Sequence, residues 1–584
     1  IRRQRQMCIR DRKLMELNKF ELAKKYILYR EERTKIRNRN SQLMKDVAKK
    51  INASDVQNQN ANVDENSFGG RAGEARDELL KDYALNYIVS DMSRDNHINN
   101  EIYIHDLSSY AIGMHNCLSI PFDDLLKKGF NTRQTDVRPA QSINTAFQLL
   151  AVIFQLQSLQ QFGGVSATHL DWTMVPYVRK SFFKHWTDGM KYIENVEEIS
   201  GNPEMSIDDE YYKDFPKSYQ YAMDKTTKEL QQAVEGMYHN LNTLQSRSGN
   251  QLPFTSINYG TCTLPEGRMV IKALLEGSIK GVGKVHRTPV FPCGIFQCMK
   301  GINRKEGEPN YDLFKLALKS TAQRLYPNYA NVDWSGNEGY DKNDPKTYFS
   351  TMGCRTANGF DINANPGVNP QTKDGRGNIC PVTIIMPTLA MEAGKKVEPF
   401  MKLLDKKIHE AKDMLIERYN YIISQNPESG RFMYENNVMA GFDGKTIESA
   451  MKHGTLAIGQ LGLAETLRIL IGKDQTTNDG MKLAKRIEQL FKDRCSEFKQ
   501  EYKLNFGVYF TPAENLCYTA MKKFQKKYGR IKNISDKDFF TNSMHCSVWK
   551  ELSPFEKIDI ESQLTGYSSA RLYNICRIGR NCKK

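Results

Sequence analysis

Residues 351–386 read TMGCRTANGFDINANPGVNPQTKDGRGNICPVTIIM. The middle of this stretch, 357–378, has hardly any core-forming side chain, and a loop of that length inside a compact domain is a functional element or a disordered one. Its flanks are different. Cys354 stands at the entrance in Thr351-Met352-Gly353-Cys354-Arg355, and Ile379 to Met386 reads as a buried strand. A reactive sulfur on a loop carried by a rigid scaffold is a workable site geometry.

Outward from this stretch, β-rich runs and helical periodicities alternate. Short runs at 254–259 and 288–292 read as strands, and 505–510 as another. Residues 144–162 (NTAFQLLAVIFQLQSLQQF) are apolar on much of a helical circumference, so the helix is buried, and Gly163-Gly164 ends it. Helices are expected over 398–424, 445–471 and 479–504, and helical periodicity over 71–95. Lys13 to about Asn40 reads as a long amphipathic helix, 52–70 as a polar linker and 200–217 as an exposed acidic connection. No internal repeat is visible, and the alternation gives an α/β fold class.

With 584 residues, 40% hydrophobic and 10% aromatic, the chain can bury a large core, which excludes general disorder and a small disulfide scaffold. No apolar run approaches the ~18 residues of a membrane span. No charged segment followed by an apolar one opens the chain, so export is not expected. The twelve cysteines form no C-x-x-C pair, which argues against a zinc ribbon or a thioredoxin-like motif, and leaves thiols. The ten histidines show no H-E-x-x-H pattern. Thr511-Pro512-Ala513-Glu514-Asn515 has the form of a capping box opening a helix, and a helix N-terminus offers free N–H groups to phosphate. Gly163-Gly164 and Gly281-x-Gly283-Lys284 could cradle phosphate as well, but glycine turns are the simpler reading.

A set of motifs in fixed order adds to this: IHDL and MHNC (104–117), SINTAFQ (142–148), FGG (162–164), NTL (242–244), GKVHRTPVFP (283–292), PNYDLFKLAL (309–318), RLYP (324–327), TMGCR (351–355), GRGN (375–378), IGQLGLAET (458–466), TPAENLC (511–517) and TNSMH (541–545). Through them the chain, from about residue 13 to 567, resembles the anaerobic (class III) ribonucleoside-triphosphate reductases, a glycyl-radical family. The resemblance implies a ten-stranded α/β barrel of two five-stranded halves, surrounded by helices and threaded by a finger loop. Cys354 matches the radical cysteine at the finger tip, and 357–378 becomes the returning limb. Cys117, with His115 and Asn116 beside it, matches a second cysteine on a facing strand. Met352 and Asn378 match residues that line the site in formate-dependent members, and Thr511–Asn515 lies where the substrate phosphates sit.

The activity so implied is reduction of ribonucleoside triphosphates by thiyl-radical chemistry. The Cys354 thiyl takes the ribose 3′ hydrogen, the 2′ hydroxyl leaves as water, and formate is oxidised to CO2. A radical-SAM activating enzyme with an iron–sulfur cluster and S-adenosylmethionine would install the glycyl radical. ATP and deoxynucleotide effectors, a homodimer contact through the 144–162 region and a cytoplasmic location are also implied, with no membrane or nucleic-acid partner.

Departures from the family pattern lie at the ends. Neither the paired Cys-x-x-Cys zinc site nor the R-V-x-G-Y glycyl loop is present in the sequence, so the chain as written is expected not to turn over. Residues 572–584 read LYNICRIGRNCKK. One allowed codon choice for this tail, shifted by two bases, instead reads GCITYVELEETVKN, a strand-like segment, so a frame break near Ala570 is expected. Residues 1–12 resemble translated adaptor sequence. The resulting organisation is 1–12 a non-native tail, 13–50 the remnant of a regulatory cone, 51–570 the barrel core, and 571–584 a frameshifted tail in place of the zinc and glycyl-radical domain.

The formal charge of +15 first suggests nucleic acid. Residues 1–12 hold five arginines and one aspartate, and 571–584 three arginines, two lysines and no acid, so nine of the fifteen excess charges sit at the two ends. The interior basic residues are scattered among acids, unlike the aromatic-interleaved stripe a nucleic-acid binder needs. A lyase of the pyruvate formate-lyase type would carry adjacent cysteines at the finger tip, whereas Arg355 follows Cys354.

Overall fold

A computed structural model describes residues 13–39, 41–52, 64, 66–197, 199–246, 251–352, 356–510 and 514–568. The terminal segments 1–12 and 571–584 therefore lie outside the described residues. Eleven strands are named in chain order: β1 Ile102–Ile104, β2 Leu118–Ser119, β3 Phe130–Asn131, β4 Asp136–Val137, β5 Val165–Ala167, β6 Thr255–Tyr259, β7 Cys293–Cys298, β8 Asn328–Asn331, β9 Asn378–Ile385, β10 Thr455–Leu461 and β11 Asn505–Tyr509. Apart from a β3–β4 ribbon they form two sheets, β2-β5-β6-β7-β8 and β1-β9-β10-β11. All neighbours in the first are parallel; in the second only β1 runs antiparallel.

Helices make the crossovers that parallel strands require: Pro265–Lys280 between β6 and β7, Tyr311–Arg324 between β7 and β8, Val397–Ile423 between β9 and β10, and Asn478–Tyr502 between β10 and β11. Every residue of β6, β9, β10 and β11 is buried, as expected for strands covered on both faces. The fold class is α/β, as the sequence implies.

The sheets meet along one seam. Asn116 and Cys117 donate backbone N–H bonds to the carbonyls of Ile379 (2.9 Å) and Asn378 (3.0 Å), Ser119 donates to Arg376 (2.9 Å), and Gly375 donates back to Ser119 (2.8 Å). The pairing is antiparallel, so the two halves run in opposite senses. Among the described residues the second half has four strands where the resemblance implies five.

Residues 332–377 leave β8 and return to β9, and the described residues among them form no regular strand or α-helix. The returning limb is polar; its tip, 362–370, is exposed or half-buried, whereas its two ends, with Asp361, are buried. Lys373 Nζ donates to the Asn358 carbonyl (2.9 Å) and to Gln371 Oε1 (2.7 Å). The Arg376 guanidinium reaches the carbonyls of His453 (2.9 Å), Thr372 (2.8 Å) and Gly359 (3.0 Å). Asp361 accepts from Asn505 (2.8 Å) and pairs with His453 (2.8 Å). Mutual satisfaction lets a polar segment occupy an interior.

Several local readings change. The 445–471 span is the helix Ile447–Met451, then β10, then the helix Leu463–Ile471. Residues 288–292 form no strand; β7 begins at Cys293. The 144–162 helix is Ile143–Ser158, with Phe147, Leu150, Ile153 and Phe154 inaccessible, and it ends well before Gly163. In the helix Phe20–Arg39, Phe20 and Leu22 are exposed, Ala23 is buried and Tyr26 and Ile27 are half-buried, so the expected apolar face is covered only in part. The 200–217 connection is partly internal: Ile207 and Tyr212 join Phe182, Trp186 and Met190 in a satellite core. Among the described residues no helix is long and apolar enough to cross a membrane.

Candidate active site

The seam between the sheets is the centre of the site. Cys117 immediately precedes β2, and its neighbours are bonded on both sides. Phe162 and Gly163 donate to the carbonyls of His115 (3.1 Å) and Asn116 (2.7 Å), opposite the bonds to β9. The Cys117 thiol is 1% exposed, lies 3.3 Å from Asn116 Oδ1 and accepts the Gly164 N–H at 3.3 Å. A Cβ on Gly163 would fall 2.0 Å from Asn116 Oδ1 and 2.5 Å from Cys117 Sγ. Gly163 is therefore neither a helix terminator nor a phosphate loop; its missing side chain is the space that the cysteine occupies. Gly281 and Gly283 do form a turn, with φ +73° and +72° and a bridge from Val282 to Arg287.

Asn378 faces Cys117 across the seam. The β9–β10 register slips between Thr455 and Leu456, which pair with Asn378 and Cys380, so Ile379 is an extra residue. Such a bulge re-aims the side chain beside it. The Asn378 side chain is fully buried, and among the described residues neither its Nδ2 nor its Oδ1 has a hydrogen-bond partner. A buried amide with neither polar atom paired is uncommon in a folded chain.

His115 is buried, with Nε2 3.1 Å from Met433 Sδ. Burial, with Arg418 adding to it, pushes the ring down to about 4, so it is neutral near pH 7. Met352 is buried and donates its N–H to the Thr356 carbonyl at 2.9 Å. Cys354 lies between these two residues, outside the described residues. Thr511, Pro512 and Ala513 also lie outside them. Glu514 opens the helix Glu514–Tyr528, and Asn515 follows it, exposed.

The structure adds residues that no motif announces. The Asn258 amide, on β6, holds the backbone of Thr351, and Gln297, on β7, donates to the Phe349 carbonyl at 3.0 Å. At the end where the finger enters, His169 Nε2 lies 3.1 Å from Asp123 and its Nδ1 2.6 Å from Thr168, whose hydroxyl also reaches Asp374 at 2.5 Å. Lys346 approaches Asp123 at 3.4 Å. Burial opposes the charged imidazole, but Asp123 and Asp374 outweigh it and push His169 up to about 9. Burial also raises Asp374, to about 6, although His169 opposes this.

The sign of the pH dependence follows. A raised imidazole contributes stability that is complete below about pH 6.5 and is lost as pH rises through about 9. Titration of chemical-denaturation midpoints from pH 6.5 to 9.5 is expected to show a loss of about 2–3 kcal/mol, largely removed in His169→Gln. Equal slopes in the two proteins would refute the assignment.

Among the described residues no group of three or more His, Cys, Asp or Glu could hold a metal ion. Together with the absence of Cys-x-x-Cys pairs from the sequence, the residues present do not fit the zinc site the resemblance implies.

Comparison with known proteins bears on the whole chain. It is 30% identical over 567 residues to the anaerobic ribonucleoside-triphosphate reductase of Haemophilus influenzae, covering 94% of this chain and 74% of the relative. It is 28% identical to the enzyme of Escherichia coli (93% and 73% covered) and to that of Enterobacteria phage T4 (87% and 79%). The anaerobic ribonucleotide reductase of Thermotoga maritima with citrate in its active site superposes with a TM-score of 0.62 at 15% identity (85% and 84% covered). The same enzyme with dATP in its specificity site gives 0.64 at 14% identity (92% and 86%), which establishes likeness of fold. The family model for anaerobic ribonucleoside-triphosphate reductase matches residues 59–572, and the chain belongs to that family.

Proposed function

We propose that this chain reduces ribonucleoside triphosphates to 2′-deoxyribonucleoside triphosphates by thiyl-radical chemistry, with formate as the reductant. The observation that carries the reading is the seam itself: a buried cysteine is paired through its backbone with a buried asparagine whose amide has no partner among the described residues. The backbone bond from Met352 to Thr356 joins two described residues that stand two positions to either side of Cys354 in the sequence.

A glycyl radical, installed by a radical-SAM activating enzyme, supplies the unpaired electron when present. The chain's own residues do the rest. Cys354 accepts the 3′ hydrogen and returns it at the end of the cycle. Cys117 serves as the second thiol, and its burial excludes water and stray hydrogen donors. The neutral His115 adds no charge beside it. The Asn378 amide offers two N–H donors to a small carboxylate, which suits formate, and Met352 covers the same space. The net change balances as ribonucleotide, formate and one proton giving deoxyribonucleotide, CO2 and water. The helix opening at Glu514 is assigned to the substrate phosphates. A nucleotide effector is proposed by analogy with the dATP bound in the specificity site of the Thermotoga enzyme.

The test is anaerobic turnover of protein made from a gene resequenced across codons 565–584, with activating enzyme, S-adenosylmethionine and formate. One CO2 per deoxynucleotide is expected, with product lost below detection in both Cys354→Ser and Cys117→Ser while the melting temperature holds. Undiminished turnover without formate would remove formate from the scheme, and an active Cys354→Ser would remove the radical assignment.

A further inference from the structure

We propose that Asn258 is a positioning residue that sets the register of the Cys354 loop, an inference resting on the radical assignment of Cys354 above. Asn258 lies on β6 with no exposed surface. Its Oδ1 accepts the Thr351 N–H at 3.0 Å, and its Nδ2 donates to the Thr351 carbonyl at 2.9 Å. One side chain thus makes both bonds that a partner residue makes in a bonded antiparallel pair. The same Nδ2 reaches the Ala167 carbonyl at 2.9 Å and Ser166 Oγ at 3.3 Å, which ties the amide to β5.

The clamp sits three residues before Cys354. Further back, Gln297 captures the Phe349 carbonyl (3.0 Å), so alternate carbonyls of the outgoing limb are held by neighbouring strands. Just beyond, the Met352 N–H is bound to Thr356. The apolar contacts of this limb, Phe349 against Ile295 and Ala330, resist separation from the wall but are not directional. Directional bonds must fix the register, because a one-residue slip moves an extended chain ~3.3 Å and turns every side chain to the other face. Hydrogen transfer requires reacting atoms within ~3–3.5 Å, and about 1 Å of misplacement can cost ~100-fold in rate. A side chain that never touches substrate therefore controls the rate by holding Thr351.

Backbone hydrogen exchange reads the clamp without turnover. In the unmodified protein the Thr351 and Met352 amides are expected to be protected, and exchange within seconds would overturn the proposal whatever any variant does. In Asn258→Ala both amides are expected to exchange at least tenfold faster, and Cys354 to be alkylated by iodoacetamide at a changed rate. The amides of Gly260, Thr261 and Cys262, bound by Asp171 just past the end of β6, serve as the internal control and should not change. Acceleration shared by those three would show a merely structural role and refute the inference, as would no acceleration. In turnover, kcat is expected to fall about 100-fold with KM for the nucleotide unchanged. Turnover is read on protein from the gene resequenced across codons 565–584, with activating enzyme, S-adenosylmethionine and formate; local acceleration in Asn258→Ala together with no nucleotide reduction by that otherwise unmodified protein would keep the clamp and reject the reductase reading instead.

Discussion

Gly377→Ala is expected to abolish the folded state or to weaken it by more than about 4 kcal/mol, the range reserved for severe steric or burial defects. An ideal Cβ at this position falls 1.7 Å from the Cys117 carbonyl oxygen, 2.6 Å from its carbon and 2.9 Å from Leu118 Cα. All three are backbone atoms, so no side chain can swing aside. Retreat is blocked as well, because the Gly377 carbonyl accepts the Thr455 N–H at 2.8 Å and ties this residue to β10. Relief requires breaking the seam, whose bonds contribute about 0.5–1.5 kcal/mol each, and with it the junction of the two sheets. Urea denaturation checks the effect. Gly236→Ala is the control: Gly236 lies in the helix Pro216–Leu241 with nothing within 4 Å of an added Cβ, and should gain up to about 1 kcal/mol. A Gly377→Ala protein whose stability falls by less than about 1 kcal/mol would show that the seam is not as tight as its geometry.

The same glycine shows what a single sequence can disclose. Its motif, GRGN, was visible, and so were MHNC and FGG, but their reason was not: the three runs meet only because β2, β5 and β9 pair, and a close approach leaves no local signature. Gly163 read as a helix stop because glycine after an apolar periodic run usually is one. The 445–471 span read as one helix because TLAIGQL is apolar throughout, and a strand buried on both faces has no alternation to betray it. The limb 357–378 was legible as a loop and not as an interior, since composition reports its polarity but not the mutual pairing of Lys373, Gln371, Asn358 and Arg376. Asn258 and His169 had no signal at all. Their partners are 93 and 46 residues away in sequence, and each residue type is ordinary on its own.

Asn378→Leu is expected to move stability and activity in opposite directions. Both polar atoms of the Asn378 amide are buried without a partner among the described residues, so the folded protein carries their desolvation, a cost of about 1–3 kcal/mol, with no hydrogen bond from those residues in return. Leucine has a similar volume and no polar atom, so the substitution should raise the denaturation midpoint by a share of that cost. A residue retained for packing would not behave in this way; natural sequences tolerate such a penalty where a ligand repays it. Formate-dependent turnover should then fall by at least 100-fold, the loss of an oriented donor to the reacting carboxylate, while binding of the nucleotide, which the amide is not proposed to contact, stays the same. Asn378→Asp separates the two effects. It retains the shape but places a carboxylate where a carboxylate must bind, so it should lose both stability and formate use. Should Asn378→Leu prove less stable than the parent, the amide must be bonded in the folded protein, and the ligand contact assigned to it would fail with the orphan that suggested it.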